Sequence, residues 1–286
     1  MRVSYLRVGA AGAGPYALTT GADGALWVTL VHAGQIARVA LDGREQLYQL
    51  EPAGCQPAQI TAGPDGALWY TATSANEIGR ITVDGEITTF PAPVGPYGIT
   101  AGADGALWFT AMGANAIGRI TVAGSVEAVA LPTAGAMPSM ISCAPDGRLW
   151  FTLNQANAVG WLRPGAQPVV LPLPTAGAGP VGIDATGQGV WFAEILAGRL
   201  GHVGAGDRIT EFALPDPAAR PHAVLADGRG CWATEWGSSR LVHRDPGGAV
   251  HHVDLPESSE PHGLTRGADG ALWVALESGH LARVAP

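Results

Sequence analysis

The stretch DGALWVT, residues 23–29, sets an Asp-Gly turn before a short apolar run that ends in threonine. Asp-Gly followed by such a β-prone run reads as a hairpin turn feeding a strand. The phrase returns as DGALWYT (65–71), DGALWFT (104–110) and DGRLWFT (146–152), in looser form around Trp191 and Trp232, and as DGALWVA (269–275). Its tryptophans stand at 27, 69, 108, 150, 191, 232 and 273, spaced 42, 39, 42, 41, 41 and 41 residues apart. Seven copies of one unit point to a repeat architecture.

Each unit carries four strands' worth of pattern. In the third, GITAG (98–102), ALWFTA (106–111), AIGRITV (117–123) and SVEAVAL (125–131) are separated mostly by Gly or Asp-Gly, and no ten-residue stretch has helical periodicity. Four-stranded units of this length are β-propeller blades, and the recurring Trp fills the gap between neighbouring twisted sheets. Trp161 and Trp236 fall outside the series. The chain stops after HLARVAP (280–286), which matches a third strand, while VSYLRV (3–8) is a strand with no unit of its own. The expectation is an all-β, seven-bladed propeller forming a single domain over 1–286, closed by pairing of the N-terminal strand with the last blade.

Composition agrees. The chain is 47% hydrophobic and 14% charged, has 41 Gly and 22 Pro, and carries a net charge of -8. That suits a packed core and many tight turns, and it lacks the basic footprint of a nucleic-acid binder. Cys55, Cys143 and Cys231 are odd in number and widely spaced, so no disulfide framework is implied. The opening MRVSYLRVGAAGAG has no sustained apolar core, and nowhere do eighteen apolar residues run together. The expected protein is soluble, cytoplasmic and monomeric, with no membrane partner.

In such blades the first strand starts, and the second ends, at one face of the disc. Residues after the repeated Pro and those three or four past each Trp then meet at one mouth. After the Pro the blades carry Tyr16, Ala58, Tyr97, Ser139, Val181, His222 and His262; three past the Trp they carry Leu30, Ala72, Ala111, Leu153, Glu194, Glu235 and Leu276, with Glu277 next. Blades five to seven thus gather His and Glu where the others are mostly neutral. Glu260 and His262, two residues apart, are expected on one side of extended chain, roughly 7 Å apart. The turn at 268–270 places Glu277 opposite them.

Two carboxylates from different strands suit a hard divalent ion such as Mg2+, which keeps several waters, better than zinc, which recruits more His or Cys. A histidine beside such an ion has the pKa range of a general base. Each residue also has a plain reading: a propeller histidine is ordinarily structural, Glu194 and Glu235 can be rim charges, and Tyr16 and Tyr97 can simply pack. His251 and His252 on an outer strand, and His32, His202, His243 and His280 in connections or third strands, read as solvent-facing or packing groups.

PHAV (221–224), TEWG (234–237), EPHG (260–263) and WVALE (273–277), together with the seven Trp repeats, resemble the virginiamycin B lyase, or streptogramin B lyase, family across essentially the whole chain. The resemblance implies a Mg2+-dependent carbon-oxygen lyase that linearises streptogramin B-type cyclic depsipeptides by elimination at the ester linkage, giving antibiotic resistance. It further implies His262 as the base, Glu260 and Glu277 as metal ligands, His222 in contact with substrate or sharing in proton transfer, and Tyr16 lining the pocket. GWL (160–162), where other blades have Gly-Arg-Ile, departs from the pattern. Two other readings stay open: a non-catalytic propeller binding a peptide or protein, and a metal-dependent lactone hydrolase.

Overall fold

The structure, a computed structural model, describes residues 1–285. Its strands form seven four-stranded antiparallel sheets, each built from consecutive strands except the last. There the strands Pro261–Arg266, Leu272–Leu276 and His280–Ala285 are completed by Arg2–Arg7. Arg2 pairs with Ala285 and Arg7 with His280. The first strands contact one another in sequence and the first strand of blade one touches that of blade seven, so the ring is closed as expected. No helix among the described residues is long and apolar enough to cross a membrane.

The repeated tryptophan works as the sequence suggests. Trp27 is fully buried and packs with Leu68 and Tyr70 of blade two, while Trp273 packs with Leu18, Val28 and Leu30 of blade one. Its polar edge is also satisfied. Asp23 Oδ1 accepts from Trp27 Nε1 at 3.2 Å, and Asp23 Oδ2 accepts from Arg38 Nε at 2.6 Å. The Asp of the turn, the Trp of the second strand and an Arg of the third recur in this arrangement at Asp65, Trp69 and Arg80, at Asp104, Trp108 and Arg119, and at Asp269, Trp273 and Arg283. Blade four breaks it because Trp161 occupies the Arg position. Arg148 instead lies over Trp150 and Trp161, at 4.9 and 5.3 Å from the ring centroids, and Trp150 Nε1 is buried without a partner. The departure in GWL therefore remodels the contact between blades four and five.

One irregularity positions the mouth. In every blade the pairing of first and second strands shifts just after the Pro, as between Pro15 and Leu18 or Pro261 and Leu264. A bulge leaves its extra residues out of the ladder and re-aims them, and here the post-Pro residues Tyr16, Tyr97, His222 and His262 of four blades meet one another. The residue before each Pro is left-handed: Gly14, Gln56, Gly95, Met137, Gly179, Arg220 and Glu260 all have positive φ.

Candidate active site

At blade seven the bulge presents His262, which is 6% exposed and deeply set in the mouth. The second strand of that blade ends at Leu276, opposite Pro261, and Glu277 N–H donates to the Glu260 carbonyl at 3.1 Å. Glu277 thus falls where the hairpin register put it. Its Oε2 is hydrogen-bonded to His262 Nε2. Because a carboxylate only accepts, this contact puts the ring proton on Nε2 in the neutral imidazole and leaves the lone pair on Nδ1, which is buried without a partner. The bond from His262, helped by one from His32, holds the Glu277 carboxyl down at about 2.

Around His262 stand two further rings. Tyr16 from blade one lies 4.3 Å from it, centroid to centroid, at a tilt of 36°, and His222 from blade six stands edge-on at 4.7 Å. Burial, with His262 beside it, presses His222 down to about 3, so it is a neutral imidazole at physiological pH. Tyr16 and Tyr97 join hydroxyl to hydroxyl at 2.6 Å, and burial pushes both phenols up, which keeps them as neutral hydrogen-bonding groups. Beneath these rings a cavity of about 80 Å³ follows the axis between first strands, lined by Ala17, Gln59, Met140, Gly182 and Gly263.

Other expectations are corrected. Glu260 is not in extended chain beside His262: it has φ 50°, and the strand begins only at Pro261. Its backbone adjoins Glu277, but its side chain makes no hydrogen bond among the described residues, and it lines a groove of about 730 Å³ with Arg220, Trp236, Ser238 and Glu257. The same left-handed geometry stands at Gln56, Met137 and Arg220, so it belongs to the repeat and not to this blade alone. Glu194 and Glu235 are not rim charges; both are fully buried between blades, away from the mouth. His252 does not simply face solvent, since its Nε2 lies 3.4 Å from Glu235. His32 was missed: its Nε2 bonds Glu277 Oε1 at 2.7 Å. Five residues past the Trp, the other blades carry Ser74, Gly113, Gln155, Leu196, Gly237 and Ser278, so an imidazole unique to that position was the available signal.

A metal site is tested by its donors. Among the described residues no three His, Cys, Asp or Glu side chains stand together as a cluster that could hold an ion. Glu260 and Glu277 meet through their backbones, and the donor each offers, a carboxylate, is the kind that a hard divalent cation takes before completing its shell with water or substrate.

The model of the virginiamycin B lyase family matches residues 1–284. The chain belongs to that family. The virginiamycin B lyase of Staphylococcus aureus superposes with a TM-score of 0.94 at 35% identity, covering 99% of this chain and 98% of that one. A streptogramin B lyase structure matches equally well, with a TM-score of 0.94, 33% identity and coverage of 99% and 96%. The Staphylococcus aureus enzyme is also known as a catalytically inactive histidine-to-alanine form with quinupristin, matched at a TM-score of 0.93. In sequence, the virginiamycin B lyase of Mycolicibacterium smegmatis is 55% identical over 47 residues, a match that spans 16% of this chain and 16% of that protein. Kuenenia stuttgartiensis hydrazine synthase, at 17% identity and a TM-score of 0.77, shares the fold alone.

Proposed function

We propose that this protein is a streptogramin B lyase that opens cyclic depsipeptides at their ester bond by elimination, without water. The observation that carries the reading is the arrangement at blade seven, where a buried imidazole is held by a carboxylate and flanked by Tyr16 and His222. Family membership and the quinupristin complex of a catalytically inactive histidine-to-alanine relative support the same substrate class and a histidine-dependent reaction.

In this reading neutral His262 removes the α-proton of the threonine-derived residue. The electron pair left on Cα forms the Cα=Cβ bond as the Cβ–O bond breaks, and the ester carboxylate departs. The product is a linear peptide with one dehydrated residue and a free carboxylate, of unchanged composition. Glu260 and Glu277 would hold a hard divalent cation, which we take to be Mg2+. When bound, that ion supplies stabilisation for negative charge on a substrate carbonyl oxygen, without which so weak a carbon acid resists imidazole. His222, neutral and edge-on to His262, contacts substrate and limits how the base can turn; Tyr16 forms the opposite wall. Opening the lactone removes the cyclic antibiotic, which is the resistance the family resemblance implies.

The test is incubation with a streptogramin B compound, with and without EDTA, followed by mass spectrometry. Elimination gives a ring-opened product of unchanged mass that depends on the cation. A gain of one water points to hydrolysis instead. His262→Ala is expected to lose about 10²- to 10⁴-fold in turnover, and full turnover in that variant would sink the assignment of the base.

A further inference from the structure

Glu277 is held from two blades. His262 takes one carboxylate oxygen from within blade seven, and His32, in the loop after the second strand of blade one, takes the other at 2.7 Å. The His32 backbone is itself fixed, with Val31 N–H donating to the Gly14 carbonyl at 2.9 Å and His32 N–H to the Ala13 carbonyl at 3.1 Å. Gly14 is left-handed at φ 70°, and a β-carbon there would run into the His32 ring, so this glycine makes room for the imidazole. Yet the ring is 54% exposed and buries little apolar surface.

We propose that His32 is a positioning residue for the active site: by hydrogen-bonding Oε1 across the seam between blades one and seven, it fixes the orientation in which Glu277 meets a divalent cation. The inference rests on the reading of Glu277 as a cation ligand. A carboxylate anchored through one oxygen turns about its Cγ–Cδ bond, whereas anchors on both oxygens fix its plane. Outer partners of metal ligands act in this way. Because the two anchors come from the first and last blades of the chain, closure of the ring and assembly of the site become one event.

The experiment compares the parent with His32→Ala and His32→Gln, the latter keeping an N–H donor at similar reach. The probe is Mn2+ alone, titrated into metal-free protein and followed by electron paramagnetic resonance, alongside Mg2+ dependence of turnover and thermal midpoint. His32→Ala is expected to bind Mn2+ roughly tenfold more weakly. The Mg2+ needed for half-maximal turnover should rise by the same factor, while the thermal midpoint stays close to that of the parent. His32→Gln should restore the affinity. Parent-like Mn2+ affinity in His32→Ala overturns the proposal, as does a parent that binds no Mn2+ at all. A difference in Mn2+ affinity with no turnover of streptogramin B by either protein leaves His32 in its role and removes the substrate reading instead.

Discussion

In blades one to four the second strand carries a buried threonine two residues past the Trp, and its hydroxyl sews each blade to the next. Thr29 donates to the Ala58 carbonyl at 3.0 Å, Thr71 to Tyr97 at 2.7 Å, Thr110 to Ser139 at 2.5 Å and Thr152 to Val181 at 2.6 Å. The same oxygens accept an N–H from their own bulge, such as Met140 N at 3.1 Å on Thr152. Blades five and seven have Ala193 and Ala275 at that position, and Thr234 of blade six accepts from Ala223 N but makes no bond to blade seven among the described residues. The stitched carbonyls belong to Ala58, Tyr97, Ser139 and Val181, whereas the unstitched first strands bear His222, His262 and Tyr16. The arc that carries the proposed chemistry is therefore held by packing and by its own side chains, and the rest of the ring by a repeated polar stitch.

Blades five and six differ again by burying a glutamate, and they neutralise it in opposite ways. Glu194 is fully buried, neither oxygen has a hydrogen-bond partner, and its charged neighbours are Glu211 and Arg199. Glu211 is already engaged by Thr175 N and Oγ1 at 3.0 and 2.6 Å. Burial, compounded by Glu211, pushes Glu194 up to about 8. In blade six the position equivalent to Glu211 is His252, an attractive partner for Glu235. Burial still raises Glu235, but His252 and Arg240 pull against it.

The largest effect that tests this contrast is at Glu194. A carboxyl whose folded pKa lies above its unfolded value binds more protons folded than unfolded, so stability is full at low pH and falls as pH rises from about 4.5 to about 8. Glu194→Gln removes that loss. Urea unfolding at pH 5, 7 and 9 should show the parent losing on the order of a few kcal/mol that the variant keeps, and parallel pH profiles for the two would dismiss the protonated carboxyl.

Next in size is the stitch. Thr152→Val keeps shape but leaves the Met140 N–H and the Val181 carbonyl without this partner, at a cost of about 2–3 kcal/mol. Ala193→Ser, which places a hydroxyl at the equivalent site in blade five, sharpens the comparison. If Thr152→Val changed the urea midpoint no more than an exposed substitution does, the polar stitch would carry no weight in the ring.

How much of this was legible in the sequence follows from period and parity. Blade number, closure by the first strand and the register of Glu277 were readable because they depend on repeat spacing and on one tight hairpin. The facing of Glu194 was not, because strand side chains alternate. Trp191 and Ala193 pack toward blade six and Phe192 toward blade four, which turns Glu194 between blades and away from the axis. Glu260 was misjudged because a bulge follows its Pro and forces the preceding residue into left-handed geometry. His32 was passed over because its partner lies 245 residues away, across the seam that only ring closure creates.

The smallest expected effect isolates the partner from the burial. His252→Ala leaves Glu235 buried as before but takes away the group that most favours its charged form. Blade six then resembles blade five: Glu235 rises further, and stability falls more steeply as pH increases above the unfolded carboxyl value. The loss should be about 1 kcal/mol, since His252 is partly solvent-exposed and the contact is long, and it should be largest where an ionised Glu235 faces a protonated imidazole, shrinking as acid protonates the carboxyl or base removes the ring proton. The double variant with Glu235→Gln should erase that pH dependence. A loss that did not change with pH would mean that His252 acts through packing, and that blades five and six differ in shape alone.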